Sequence, residues 1–597
     1  MDMAHVEGQR LEYAAQSKDP ELKLPAWVQY AILTVILLAN VLLKAPNLGH
    51  AALKPMDESF HAVVARNLMY DPLKPTLIRE PYLPYDPTDW LSNHVWLHKP
   101  VLPLWIIAIS FKCFGVSALA LRLPSLILST FAVGLTFLIA RKLYSPIVGL
   151  LASAIQAIVP TIGMIVHGYV FSDAVDINLL LWSELSLFLM LQKGKKWIWL
   201  SGAAAGAAFM SKTFPAMFVL VPLTLLVGSR QWAAGRKEGI AGGRLGSSCP
   251  PPAAPGSVLS FRPPPAARRP LYFLLAFMLV AAPWNIYCAI RFPTEFKAEY
   301  GLILTHLSGD VENWASPWDR VWFQHLPSAL YLFWTLSLIG TIVLTIRAIQ
   351  LKKWEWLFAP IWAAAVLIPF TLVTSKTPSA TLPAWPALMI GAGFLIWRAC
   401  QGYIVEASTT VTLLIAMIFF RGDFIQKGWG ATAPFEIMNQ ASWILWHLLA
   451  GLVVLGISLA FDKRLIRHWT FLTTFAVAIG LAYLTILTGK LSLRVQTLDK
   501  NLPMLADTGR WIDRNLPRDA VIVFGHLGVK FQRQEHALAF YADRTVIPPG
   551  RTLAYPSEKR IYWVGEKYPP GQTLYNSPID HLWVSDFRQL RPMKLMK

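Results

Sequence analysis

The stretch MDESFHAVVAR opens with the adjacent acids Asp57 and Glu58, and further along the triplet His98-Lys99-Pro100 leads into an apolar run. Two more acids, Asp173 and Asp176, stand at the head of FSDAVDINLLLWSE, which also carries Glu184. Lys212 lies in GAAAGAAFMSKTFPAMFVLVP, between two apolar stretches with no room for a long loop. A positioned carboxylate can take the proton of a hydroxyl as that hydroxyl becomes a nucleophile, and a lysine can hold a phosphate as it leaves. A charge inside hydrocarbon costs roughly 2.5–3.5 kcal/mol, so such residues face a polar cavity or pair with an opposite charge. Each also has an ordinary reading: Asp57 and Glu58 as solvated charge, Lys212 as a side chain snorkelling to the membrane interface.

The elements that must position these residues are membrane helices. Of 597 residues 55% are hydrophobic and only 15% charged, which sets the chain apart from soluble domains. Long apolar runs predict thirteen spans, over 27–44, 121–140, 146–163, 174–191, 197–211, 214–228, 271–290, 326–346, 356–374, 381–397, 404–420, 441–461 and 469–488. The run 101–115 is too short to cross the hydrocarbon core and reads as interfacial or re-entrant. Residues 1–26 are hydrophilic and mixed in charge, which predicts no cleavable signal and a first span that stays as an anchor. Cys113, Cys249, Cys288 and Cys400 are scattered, a pattern of neither disulfides nor a cysteine metal site.

The net charge of +19 reads as loop charge on the cytoplasmic face, not as a nucleic-acid surface. Basic clusters at Arg141-Lys142, Lys193 to Lys196, Arg347 to Lys353 and Lys463 to Arg467 fall in alternate loops and fix that face. The first loop (45–120) with Asp57 and Glu58, the loop at Asp173, the loop 291–325 and the tail beyond 488 then lie outside. The segment 229–270 is basic and dense in Pro and Gly, and predicts a disordered cytoplasmic linker between membrane halves 27–228 and 271–488. In the tail, 489–597, DAVIVFG reads as a buried strand and HALAFYADRTVI as a second strand or a helix-strand pair, enough for a small α/β module. Neither a P-loop nor a dinucleotide fingerprint is present, so a group transferred on the outer face would come from a lipid phosphate. The residues leave two classes open, a membrane transferase and a transporter of anionic lipids.

The chain resembles the C-type membrane glycosyltransferases that use polyprenyl-phosphate sugars, in particular the bacterial lipid A aminoarabinose transferases and the protein O-mannosyltransferases. The matching pieces run in family order: MDESFHAVVAR, HKPVLPLW, ALRLPSLILSTFAVGLTFLIARKLY, SDAVDINLLLW, GAAAGAAFMSKTFPA, APWNIYCAIRFP and SKTPSATLPAWP. The resemblance implies an all-α polytopic fold of about thirteen spans with a small periplasmic module, in a bacterial inner membrane. It implies Asp57 as catalytic base with Glu58 beside it, and Lys99, Asp173, Lys212 and Lys376 around the donor. Direct attack by the acceptor would invert the anomeric centre. Three positions depart from the family: His98 stands where a metal-associated Glu is expected, Phe60 replaces an arginine, and Ala380 replaces a tyrosine. His98 is therefore a candidate zinc ligand, with His306 the second candidate in the outside loop. The expected partners are a polyprenyl-phosphate-linked sugar, membrane lipids and a lipid, glycan or protein acceptor. The alternative is a flippase of lipid-linked glycans.

Overall fold

The computed structural model describes residues 24–81, 85–87, 93–170, 172–218, 268–311, 313–419, 441–461, 465, 467–495, 504–525, 533–547, 560–566 and 572–586. The expected tail 1–23, the linker over 229–267 and most of the span at 214–228 lie outside them.

Helix α1 (Ala26–Lys44) is apolar around its circumference and turns Trp27, Val35, Leu38 and Leu42 outward, as a lipid-facing helix does. A short helix in the first loop, α2 (Asp57–Leu68), carries Asp57 as its first residue. The run after His98-Lys99-Pro100 forms α3 (Leu102–Phe114), 13 residues and too short to span. Helix α4 (Ala118–Leu143) starts at Ser117, whose hydroxyl accepts from the Ala120 amide at 3.2 Å. Helix α5 (Pro146–Ile158) bends by 54° into α6 (Pro160–Val166), because Pro160 has no amide proton and drives Val159 out of helical geometry.

Helices α7 (Asp173–Met190) and α8 (Lys195–Phe209) follow, then the short α9 (Thr213–Phe218). After the linker come α10 (Arg268–Arg291) and α11 (Pro293–Ser308). Helices α12 (Trp334–Gln350), α13 (Phe358–Leu372), α14 (Trp385–Cys400), α15 (Ile404–Phe419), α16 (Ala441–Leu459) and α17 (Arg467–Val495) complete the bundle. Gly202 and Gly206 of α8 face α10 so closely that a Cβ at either would strike the backbone oxygens of Phe273 and Phe277. At the far end of α12, Arg347 grips Glu406 of α15 through two hydrogen bonds of 2.9 Å, and Arg398 of α14 joins at 3.3 Å.

This is a multi-pass membrane protein. Among the described residues seven helices are long and apolar enough to cross a membrane, or eight if α5 and α6 form one broken span. The other expected spans fall on helices below that length or hydropathy, or outside the described residues. Helix α7 carries Asp173, Asp176 and Glu184, and α8 is only 15 residues long. The stretches Ile404–Ile418 and Trp446–Leu459 are apolar but short.

The tail forms α18 (Ala506–Asn515), β1 (Val521–Phe524), α19 (Glu535–Ala542), β2 (Thr545–Ile547), β3 (Ile561–Gly565), β4 (Gln572–Asn576) and β5 (Trp583–Asp586). Of the two readings of HALAFYADRTVI, the helix-strand pair is the one adopted. The sheet order is β2-β1-β3-β5-β4, with β1 parallel to β2 and β3, and β5 antiparallel to β3 and β4. Every residue of β1 is buried, as suits a central parallel strand, whereas β4 alternates at an open edge. The sheet module shares one hydrophobic core with the first loop. Phe60, Val63, Val64 and Leu104 pack in the same cluster as Ile522, Phe524, Leu538 and Phe540.

Candidate active site at the head of helix α2

Asp57 follows Met56, whose φ of 73° is unfavourable for a non-glycine residue, and Asp173 heads α7 with a φ of 34°. Such backbone costs about 1–3 kcal/mol and persists where the surroundings enforce it. Here the two strained heads meet. Ser172, just before α7, donates its hydroxyl to Asp57 Oδ2 at 3.0 Å. Lys99 Nζ lies 3.7 Å from Asp57 Oδ1. Burial pushes the Asp57 carboxyl up, but Lys99, His61, His98 and the Ser172 hydroxyl outweigh it and hold it below the usual carboxylate range.

Lys99 is brought there by the loop. The amide of Leu77 donates to the His94 carbonyl and that of Trp96 to the Pro75 carbonyl, each at 3.0 Å, which lays the segment before His98 against the strand-like stretch at Thr76. The Leu102 amide then reaches the Met210 carbonyl at 3.3 Å and ties the head of α3 to the end of α8. Between them lies a small cleft lined by Lys99, Pro100, Met210, Trp284, Asn285 and Tyr300.

Lys212 donates to Asp176 Oδ1 at 2.7 Å and to the Ser379 hydroxyl at 2.8 Å. Asp176 is fully buried, and its other oxygen accepts the Ser172 amide at 2.8 Å. Asp173 is instead taken by His61, with Nδ1 and Oδ1 2.7 Å apart. Burial lowers the His61 pKa, but Asp173 and Asp57 together raise it above its ordinary value. His61 was not singled out in the sequence, because a lone histidine in a mixed helix gives no signal and its partner is 112 residues away.

Several expected members stand elsewhere. Glu58 is not exposed beside Asp57. It points inward, where Arg122 grips it at 2.6 Å and 3.2 Å and the Lys54 amide adds a bond of 2.6 Å. Arg122 also donates to the carbonyls of Leu48, His50 and Ala52, so the pair sets the course of the loop. Gly168, at φ 72°, presses so close that a Cβ there would collide with the Glu58 carboxyl. Glu58 thus sits in a buried ion pair behind Asp57.

Lys376 is buried and donates to the carbonyls of Ser316, at 2.7 Å, and Val373, so its ammonium serves the loop. His306, partly exposed on α11, accepts the Ser375 amide through its carbonyl at 3.1 Å. His98 Nδ1 lies 3.1 Å from Glu299 Oε2 of the same helix α11. Among the described residues no group of three or more His, Cys, Asp or Glu is gathered to hold a metal ion. His98 and Glu299 make two donors of a set that zinc fills with at least three protein ligands, so the residues described do not fit a zinc site.

A family model described as dolichyl-phosphate-mannose-protein mannosyltransferase matches residues 98–243. The undecaprenyl phosphate-alpha-4-amino-4-deoxy-L-arabinose arabinosyl transferase of Pseudomonas aeruginosa is 25% identical over 319 residues, 49% of this chain and 50% of that protein. The chain therefore matches about half the length of that relative. Among solved structures, ArnT from Cupriavidus metallidurans in the apo state aligns with a TM-score of 0.59 at 16% identity, over 94% of this chain and 97% of that one. The same protein bound to undecaprenyl phosphate aligns at 0.55 with equal identity and coverage. At that identity the likeness is one of fold, and the chain has the fold of the C-type membrane glycosyltransferases.

Proposed function

We propose that this chain transfers a sugar from a polyprenyl-phosphate carrier to a lipid, glycan or protein acceptor at the periplasmic face of a bacterial inner membrane. The observation that carries the reading is the setting of Asp57. It is an ionised carboxylate with one oxygen fixed by Ser172 and the other turned to Lys99, which itself lines a cleft. Asp57 Oδ1 accepts the proton of the acceptor hydroxyl. The freed oxygen attacks the anomeric carbon from the face opposite the phosphate, the bond from that carbon to the phosphate oxygen breaks, and the configuration inverts. The electron pair leaves on the carrier phosphate, where Lys99 and Lys212 balance the charge.

A carboxylate held below its usual range is a weak base. A donor phosphate that draws Lys99 away removes the largest charge holding Asp57 down, so donor binding readies the base. Relatives that act on undecaprenyl-linked aminoarabinose and dolichyl-linked mannose support this donor class. The test is titration of the purified chain with undecaprenyl phosphate, joined to mass spectrometry of lipid-linked sugars and glycosylated envelope products in a deletion strain. Saturable binding with loss of one glycosylated product is expected. No binding and an unchanged envelope would overturn the reading.

A further inference from the structure

Two consecutive residues at the head of α7 hold two residues one helical turn apart on α2. Ser172 reaches Asp57 at 3.0 Å, and Asp173 reaches His61 at 2.7 Å. Residues four apart share a helix face, so His61 stands behind Asp57 on the side turned to α7. The His61 ring is fully buried and edge-on to Trp96, with centroids 6.0 Å apart. Its Nε2 meets no hydrogen-bond partner among the described residues. An imidazole fixed at one nitrogen by a carboxylate has its ring orientation set, and it carries charge where the carboxylate stays ionised.

Both sides of this contact carry a residue at positive φ, Met56 and Asp173, where the surroundings enforce the backbone. An ion pair that only filled space would not need to share its backbone with the residue that orients Asp57.

We infer that His61 is a further residue of the site, a positioning residue that is locked by Asp173, presents positive charge to Asp57 and fixes the helical turn that carries it. The charged and titratable groups around Asp57 are Lys99, His98 and His61 on the positive side and Asp173 and Glu58 on the negative, with Glu58 already gripped by Arg122. Of the three, His61 is the one that sits on α2 itself, with its ring held by Asp173. When a donor phosphate engages Lys99, His61 remains to keep Asp57 ionised. The inference deepens the assignment of Asp57 as base, but its test does not require transfer.

The full chain in detergent micelles, treated with a water-soluble carbodiimide across a pH series and read by peptide mass spectrometry, reports protonated Asp57, since the protonated carboxyl is the form that reacts. In His61→Gln the labelling curve is expected to move up by about one pH unit, the scale on which a neighbouring charge shifts a carboxylate. His61→Lys returns a cation and is expected to move the curve back. His61→Asn replaces the glutamine variant if that one does not fold. A folded neutral variant whose curve overlies the wild type overturns the inference. Undecaprenyl phosphate titration of the wild-type chain tests the donor reading separately. Failure there leaves the labelling result standing.

Discussion

Lys212 Nζ lies 2.7 Å from Asp176 Oδ1, one residue pair that joins the end of α8 to the first turn of α7. The neighbouring acid at the head of α7, Asp173, is held by His61 instead. The pair is half of a two-sided arrangement, because Asp176 also caps the Ser172 amide and Lys212 also holds Ser379. Lys212→Met leaves a fully buried carboxylate unpaired, and breaking a buried pair costs about 3–5 kcal/mol. Lys212 is partly exposed, so the lower end applies. The expected result is a lower thermal midpoint that Asp176→Asn restores. If Lys212 also holds donor phosphate, weakened binding of undecaprenyl phosphate persists in the double variant. Restored binding there would remove Lys212 from the donor site.

Asp57 and Glu58 should separate cleanly on mutation. Asp57→Asn keeps size and the Ser172 contact but cannot take a proton. Transfer should fall about 10²–10⁴-fold, with membrane insertion near wild type. Glu58→Gln breaks the Arg122 pair, so its damage should appear in the thermal midpoint. Near wild-type transfer by folded Asp57→Asn would take Asp57 out of the mechanism.

The acids and lysines proposed for the site stand out in the sequence as charge in or beside apolar runs. Their pairing does not. Adjacent helical residues diverge by about 100°, so one of Asp57 and Glu58 had to face inward, but nothing in MDESFHAVVAR says which. Asp173 and Asp176 both crown α7, and the choice of partner for Lys212 depends on how the turn after α8 meets that crown. His61 was invisible because its meaning lies in Asp173. The bundle itself was readable from apolar run length, and runs that carry acids, break at Pro160 or end short form helices that do not qualify as long apolar spans.

The His61–Asp173 contact gives the site a pH dependence. The His61 pKa is raised in the fold, so its stabilisation is fully present below its unfolded value, about 6.5, and is lost as pH rises through the raised folded value. Thermal midpoints of wild type should therefore fall on going from neutral to alkaline pH by more than those of His61→Gln. Parallel curves for the two proteins would show that this contact does not titrate in that window. Asp57 carries the opposite sign: depressed in the fold, its contribution is lost as pH drops through its folded value.

The proposed orientation rests on basic loops. Cys249 lies in the linker, outside the described residues. An impermeant thiol reagent applied to intact cells should leave it unlabelled and label it once the membrane is opened. Labelling in intact cells would invert the topology and move Asp57 to the cytoplasmic face.

The sheet module is bolted to the helix that carries Asp57. Asp543, buried after α19, receives Arg66 of α2 at 3.1 Å, Arg79 of the first loop at 2.5 Å and the Tyr70 hydroxyl at 3.1 Å. Beside this lock, Phe60 packs edge-on against His536 with centroids 4.5 Å apart, and Phe111 meets Phe540 at 5.7 Å. A module so placed can set the position of α2 without touching substrate. Asp543→Ala strands Arg66 and the partly exposed Arg79, a loss toward the lower end of the about 3–5 kcal/mol for breaking a buried pair. Transfer should drop with the thermal midpoint, and limited proteolysis should release the segment after 495 faster than in wild type. Leu574→Ser, on the exposed edge strand β4, is the control and should change neither. Wild-type proteolysis and transfer in Asp543→Ala would mean that the module rides on the membrane bundle without holding α2 in place.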